Sequence, residues 1–177
     1  MNQSNSINTR KKLLDRCNFL NNNNAKINFV KVESDTFDYN LKMIDSNLSN
    51  ILANILYLSY KNNEKDINNL INLISTNDDE YNFYKKKIGD FANSVTFGMR
   101  AGEKWNGKNE VNGGIILVTK TGEVYLLDLI YFKDIVDKYL INNIKLDSPS
   151  SSRYKMFDIY KENGRYYFKL NLQVRFK

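Results

Sequence analysis

The sequence predicts an α+β fold in which a helical N-terminal layer packs on one face of a mostly antiparallel sheet built from C-terminal hairpins. Up to about residue 100, apolar side chains recur at three- and four-residue steps, as they do along one face of a helix. From Trp105 onward the pattern changes to short apolar runs separated by glycine-containing turns, which is typical of strands. The last stretch of the chain alternates between apolar and polar residues, which indicates a strand with one buried face.

The length of 177 residues is enough for one ordinary domain with a real hydrophobic core. We expect residues 1–24 to form a disordered segment with a short helix over residues 9–20, which the asparagine run 21–24 ends. Residues 25–177 then form a single α+β domain that begins with a strand over residues 25–33.

Three helices are predicted in the N-terminal layer. One apolar stripe continues without interruption over residues 35–60, and a second stripe covers residues 65–75. The third helix begins at Asn77, because Asn77 and Glu80 have the spacing of a capping box, and glycines end it at residues 98–102.

The C-terminal half is predicted to alternate strands with turns and one short helix. Asn163-Gly164 is the strongest hairpin signal, because a type I′ turn needs a positive φ at both central positions. The expected elements are a buried strand 115–118, a turn 120–122, a strand 123–130, a helix 132–142, an irregular segment 145–154, a strand 156–161 and a final strand 166–177.

Composition restricts the chemistry that the chain can perform. The chain has no histidine, which excludes Ser–His and Cys–His nucleophile pairs and His-ligated zinc sites. The single cysteine, Cys17, excludes an internal disulfide and a cysteine zinc cluster, and it suits a reducing cytoplasm. There is no run of about 18 apolar residues and no signal-like start, so we expect a cytoplasmic protein that neither spans a membrane nor is exported.

The net charge of +6 and the isoelectric point near 9.2 favour an anionic partner such as nucleic acid. AT-rich coding is the competing explanation, since asparagine, lysine, isoleucine and tyrosine are all abundant together. The charge by itself is therefore weak support for nucleic-acid binding.

A magnesium-dependent nuclease centre is one reaction chemistry that a chain without histidine could still perform. Such a centre needs carboxylates that hold Mg²⁺ and a lysine two residues after one of them. No aspartate or glutamate in this chain is followed by a lysine two positions later. Asp128 with Lys133, or Glu123 with Asp128, could form only a degenerate site and are more typical of turn or strand-face charges. No catalytic residue is assigned.

The final strand has one apolar face and one face of basic and amide side chains without an acid. The polar positions include Lys169, Asn171, Gln173 and Arg175. Arginine pairs with guanine, and asparagine or glutamine pairs with adenine, so we expect Arg175 and Gln173 to contact bases and Lys169 to contact phosphate. The alternative is the solvated outer face of an antiparallel sheet.

Two further groups of residues are candidates for DNA contact. The segment 147–154 groups hydroxyl side chains with one guanidinium, which are common phosphate contacts, although a serine-rich surface loop would have the same composition. A second basic group between the helices and the sheet contains Lys104 and Trp105. The candidate residues in the first group are Ser148, Ser150, Ser151, Ser152 and Arg153.

Three stretches resemble the C-terminal end of the HpaII-type restriction endonucleases. They are LINNIKLDSPSSSR at residues 140–153, IYKENGRYYFKLNLQVRF at residues 159–176, and KWNGK at residues 104–108 followed by the glycine-rich strand and turn of residues 113–124. The resemblance covers the chain from about Lys31 to its end. It is most specific in the SPSSSR and NLQVRF stretches.

The resemblance implies a function in cutting short palindromic DNA sites with Mg²⁺, CCGG in the family's type member. It also implies a DNA-binding role for residues 148–153 and for the polar face of the final strand. Family members are about twice this length and carry their catalytic segment in an N-terminal half, so the chain resembles the C-terminal part of such an enzyme. A histidine usually follows the SPSSSR-like arginine, whereas this chain has Tyr154.

Three classes of function remain open from the sequence. The chain is a DNA-recognition part whose catalytic half lies outside it, or a non-catalytic nucleic-acid-binding module, or a protein-interaction domain. The first two differ in whether a catalytic half is encoded upstream of Met1. The third predicts basic residues that are scattered over the surface.

Overall fold

A computed structural model of the chain describes residues 11, 15, 30–32, 34–100, 102–108, 114–147, 159–170 and 172–176. The predictions for the asparagine run 21–24 and for the segment 148–154 lie outside these residues. Of the predicted N-terminal helix, only Lys11 and Asp15 are described, and both are helical.

The described residues confirm an α+β fold, with five helices and with strands at one early and several late positions. The helices are α1 Asp35–Ile44, α2 Leu48–Asn62, α3 Ile67–Ile74, α4 Asp78–Phe97 and α5 Leu129–Asn143. The strands are β1 Val30–Val32, β2 Gly114–Val118, β3 Val124–Asp128, β4 Ile144–Asp147, β5 Ile159–Glu162, β6 Arg165–Leu170 and β7 Gln173–Phe176.

The described strands form three small sheets rather than one. Their orders are β1-β6-β5, β2-β3 and β4-β7. The β1–β6 pairing is parallel, and the other three pairings are antiparallel. The sheet layer is therefore mostly antiparallel, as predicted, but it is divided.

The core lies where the helices meet β1, β4 and β6. Phe91 of α4 is fully buried, and its ring centroid lies 6.4 Å from that of Phe37 in α1. Phe168 and Leu170 of β6 are also fully buried in the same cluster. Burying a large apolar side chain contributes about 1.5–3 kcal/mol, so this cluster is the main source of stability. The other fully buried large side chains are Leu41, Leu48, Leu52, Ile55, Leu56, Ile67, Ile71 and Ile88.

The predicted single helix over residues 35–60 is wrong, because α1 and α2 are separated at Asp45. Asp45 is extended, and its carboxylate accepts a hydrogen bond from the Asn47 N–H at 2.8 Å. Local side-chain bonds of this kind compete with the helical backbone. The carboxylate also forms an ion pair with Lys87 of α4 at 2.9 Å, which links the connection between α1 and α2 to α4. Burial raises the pKa of Asp45, but the Asn47 N–H and the Lys87 ammonium outweigh it and hold the pKa below its usual value.

Side-chain caps define the starts of three helices. The Ser34 hydroxyl caps α1, and the Asp66 carboxylate caps α3. At α4, the Asn77 Oδ1 accepts from the Glu80 N–H at 2.9 Å, while the Glu80 carboxylate accepts from the Thr76 N–H at 2.7 Å. The predicted capping pair is confirmed, with the reciprocal bond displaced by one residue.

The C-terminal half differs from the prediction at several places. The helix predicted over residues 132–142 begins earlier, at Leu129, where the preceding strand was predicted to continue to residue 130. β4 lies partly within the segment predicted to be irregular, and the final strand is broken between Leu170 and Gln173. The strand predicted to be buried, β2, exposes Ile116 at 66% of its surface. The Asn163-Gly164 turn is confirmed, since the two φ angles are +50° and +77°.

Candidate nucleic-acid interface

Lys169 and Arg175 lie on the side of β6 and β7 that faces away from the core. Phe168 and Leu170 point inward and are buried, and Val174 packs against the core from β7. Residues at alternate positions of a strand project from opposite faces, so Lys169 and Arg175 project outward. The apolar and polar positions stay in phase across the break in the strand, which is why alternation predicted one continuous strand.

The register of the sheets places like charges opposite one another at both positions. Lys169 is paired with Lys31 across the parallel β1–β6 ladder, and Arg175 is paired with Lys145 across the antiparallel β4–β7 ladder. Like charges directly opposite each other on neighbouring strands are destabilising. Two such pairs on the outward side indicate a surface that suits an anion.

The outward surface also contains an acidic residue, Glu162 of β5, although the final strand itself has none. The Lys31 Nζ lies 3.5 Å from the Glu162 Oε2, and each side chain is 50% exposed. Exposed ion pairs of this kind contribute about 0–1 kcal/mol and are weakened by salt. Glu162 therefore reduces the positive charge of the surface without removing it.

The other predicted contacts from this part of the chain are described only in part. Gln173 is paired with Asp147 in the β4–β7 register, so an acidic residue lies opposite the residue expected to read a base. The structure does not describe the Gln173 side chain. Six candidates lie outside the described residues and stay predictions: Ser148, Ser150, Ser151, Ser152, Arg153 and Asn171.

Lys104 belongs to a loop that a buried amide holds in place. Asn40 of α1 is 2% exposed; its Nδ2 donates to the Glu103 carbonyl at 3.0 Å, and its Oδ1 accepts from the Trp105 N–H at 2.7 Å. Lys104 is exposed, and its Nζ lies 5.0 Å from the Tyr39 ring centroid. An ammonium over an aromatic face contributes about 0.5–1 kcal/mol at such a site.

Trp105 covers the end of α4. Its Nε1 donates to the Lys108 carbonyl at 2.7 Å, which closes the loop. A Cβ added at Gly98 would lie 2.5 Å from the Trp105 Nε1, so only glycine permits this close approach. The Asn106 Oδ1 accepts from the Lys108 N–H at 2.9 Å. The KWNGK stretch is therefore a fixed loop on the helical layer, well separated along the chain from the final strand.

A groove between α4 and α5 contains basic residues that sequence reasoning missed. Its volume is about 890 Å³, and Trp105 and Gly107 lie at its border. The run of lysines at residues 85–87 was the one local signal for it. Its other side comes from α5, more than forty residues later in the chain, and no spacing rule relates the two helices. The lysines that line the groove are Lys85, Lys86, Lys133 and Lys138.

The described residues do not fit a magnesium centre. Among them, no group of three or more aspartate, glutamate, cysteine or histidine residues could hold a metal ion. The groove carboxylates Asp90 and Asp137 each form an ion pair with a lysine, Lys86 and Lys133 respectively. In the described part of the chain, no helix is both long and apolar enough to cross a membrane.

Comparison with known proteins identifies the family. The family model for the HpaII restriction endonuclease matches residues 1–176. The chain belongs to the HpaII restriction endonuclease family. It is 38% identical over 159 residues to the type II restriction enzyme HpaII of Haemophilus parainfluenzae, and the alignment covers 86% of this chain and 44% of that enzyme. The chain thus spans less than half the length of this curated relative. No solved structure matches the chain significantly.

Proposed function

We propose that this chain is the DNA-recognition part of an HpaII-type restriction endonuclease whose catalytic centre lies outside it. Arg175 and Gln173 contact bases, while Lys169 and the serines and arginine of residues 150–153 contact phosphates. Lys104 contributes a further basic contact from the helical layer. The observation that carries the proposal is the register that sets Arg175 opposite Lys145 on the outward side of the β4–β7 pair.

Two properties of this surface support recognition of DNA. Arg175 is exposed, and an exposed guanidinium can reach the O6 and N7 acceptors of guanine with two parallel hydrogen bonds. Guanine occurs in every CCGG site on both strands, so a guanidinium is the appropriate side chain for the family's type of target. Lysines 31, 145 and 169 would meet the phosphates that flank the bases.

Mg²⁺ belongs to the chemistry of the complete enzyme in this proposal. The ion would supply electrophilic stabilisation of the phosphate and an activated water. The described carboxylates do not form a site for it. The alignment covers 44% of the HpaII enzyme, and the part of the enzyme outside it would supply the carboxylates.

The test is a titration of this chain into labelled duplexes with and without CCGG, followed by fluorescence anisotropy across a salt series. We expect a preference for the CCGG duplex that persists at about 150 mM salt, because base contacts do not depend on counterion release. Arg175→Ala should reduce this preference by about 1–3 kcal/mol. Lys169→Ala should weaken binding to both duplexes alike. The control is Lys65→Ala, which replaces an exposed lysine in the connection between α2 and α3.

The outcomes separate the competing functions. Equal losses on both duplexes for Arg175→Ala and Lys169→Ala would contradict the division between base and phosphate contacts. A tight complex without cleavage after addition of Mg²⁺ is expected, whereas cleavage by the chain alone would show a catalytic centre within it. Absence of binding even at low salt would favour a protein-interaction domain. The exposed β2–β3 hairpin, in which Leu126 is 76% exposed, is the observation that favours that second candidate.

A further inference from the structure

We propose that the groove between α4 and α5 is a second DNA contact, which binds the phosphate backbone of the duplex independently of sequence. This inference rests on the proposed function, but it concerns a different surface. The groove is formed mainly by helices, whereas the candidate base contacts, Gln173 and Arg175, lie on β7.

The charges of the groove favour an anion. Lys85, Lys86, Lys133 and Lys138 line it, against Asp90 and Asp137. Among the described residues, Lys138 has no carboxylate within salt-bridge distance. The lysines outnumber the aspartates by four to two, and an excess of one sign of charge in a cleft attracts ligands of the opposite sign.

The ion pairs within the groove do not prevent phosphate binding. Lys86 pairs with Asp90 at 2.7 Å within α4, and Lys133 pairs with Asp137 within α5. Each pair joins neighbouring turns of its own helix. The two lysines remain 71% and 61% exposed. Exposed pairs with this spacing contribute about 0.3–0.5 kcal/mol, so a phosphate can replace the carboxylate at small cost.

The two walls of the groove are held at a fixed separation. The Asn93 Nδ2 of α4 donates to the Asp137 Oδ1 of α5 at 2.5 Å, which joins the helices directly. Ile141 of α5 is buried beneath the groove, and the anchored Trp105 borders it. The lysines therefore project from a rigid base. A ligand that binds them does not have to order the surrounding backbone.

The dimensions suit a run of phosphates better than a small molecule. From Asn82 to Asn93 along α4, the groove is about 17 Å long at 1.5 Å of rise per residue. One strand of a duplex carries a phosphate for about every 3.4 Å of axis, so this length accompanies about five base pairs. The groove is wide open to solvent and contains no enclosed chamber that would select a compact ligand.

The experiment compares two double variants of the full chain by fluorescence anisotropy with a labelled duplex that lacks CCGG. Lys85→Gln/Lys138→Gln removes two charges from the groove without leaving either aspartate unpaired. Lys61→Gln/Lys65→Gln removes two exposed charges near the connection of α2 to α3, outside the groove, and is the matched control. Circular dichroism establishes that both variants keep the helical content of the parent.

We expect the groove variant to reduce the slope of log affinity against log salt by about 0.9 for each phosphate that it no longer neutralises, between about 50 and 200 mM salt. Its preference for CCGG should stay unchanged, because binding to phosphates carries no sequence information. The control variant should keep the parent's slope. Equal slopes for the groove variant and the control would overturn the inference.

Failure of this inference is distinguishable from failure of the proposed function. If the parent prefers CCGG and Arg175→Ala removes the preference, but the groove variant binds as the parent does, only the groove assignment is wrong. If the parent binds neither duplex, the proposed function and the inference fall together. Tight binding of labelled polyglutamate that is abolished in the groove variant, with no effect of that variant on duplex binding, would overturn the DNA assignment in favour of an acidic polypeptide.

Discussion

Apolar residues are buried in the helical layer but exposed on one face of the β2–β3 hairpin. In α2, α3 and α4, residues such as Ile55, Ile71 and Phe91 are fully buried. In the hairpin, Ile116 and Leu126 are directly opposite in register and are 66% and 76% exposed. Both regions contain apolar patterns in the sequence, a stripe at helical spacing in the helices and short apolar runs in the hairpin. The difference is that the helices have neighbours on their apolar side, whereas this face of the hairpin has none among the described residues.

This difference shows what a local pattern can establish. Periodicity identifies the apolar face of an element, but the burial of that face depends on residues elsewhere in the chain or on another chain. A two-stranded hairpin is marginally stable in water unless one face packs against something. Here α5 contacts both strands. The opposite face, which includes Val118 and Val124, contributes exposed apolar surface instead of core.

The largest effect is expected in the buried core of the helical layer. Phe91→Ala should destabilise the protein by about 3–5 kcal/mol, because it removes a fully buried ring and leaves a cavity beside Phe37. Urea unfolding, followed by circular dichroism, measures the destabilisation as a lower midpoint at an unchanged slope. A destabilisation below about 1 kcal/mol would mean that the helices repack freely, and the contrast with the hairpin would disappear.

The regular helices were predictable because their apolar spacing and their caps agree. α3 and α4 begin close to where the sequence indicated, and the Asn77–Glu80 bond is present. The break at Asp45 was not predictable from spacing, because the apolar stripe continues across it. The break depends on an Asn47 bond and on a distant lysine, Lys87.

The sequence predicted which face of the final strand the candidate side chains lie on, but not which strands pair with it. Alternation placed Lys169 and Arg175 on the outward side, where the structure has them. It could not show that β6 and β7 join different sheets, or that Lys31 and Lys145 are their partners. The groove lysines were missed for the same physical reason, since α4 and α5 come together only through tertiary packing.

A second, intermediate effect is expected at the anchor of the KWNGK loop. Asn40→Ala should destabilise the protein by about 1–3 kcal/mol, because it leaves the Glu103 carbonyl and the Trp105 N–H without their buried partner. The substitution should release the loop. Trp105 is the sole tryptophan, so its fluorescence should shift to longer wavelength in the folded variant. Asn50→Ala, an amide on α2 that bonds Asn47, is the control and should leave the emission unchanged. An unshifted emission for Asn40→Ala would show that Gly98 and Lys108 hold the tryptophan alone.

The smallest effect is expected at the hairpin. Leu126→Ser removes a large apolar side chain that is 76% exposed, and exposed substitutions usually change stability by less than about 0.5 kcal/mol. The urea midpoint should therefore stay close to the parent's, in contrast to Phe91→Ala. Replacing an apolar side chain by a hydroxyl on this face should also reduce any association of the isolated chain, which sedimentation velocity measures. A destabilisation above about 1 kcal/mol that grows with protein concentration would show that a second copy covers the hairpin in solution. The exposed face would then belong to an interface between two copies. The hairpin would differ from the helices only in that its apolar face is buried by another chain.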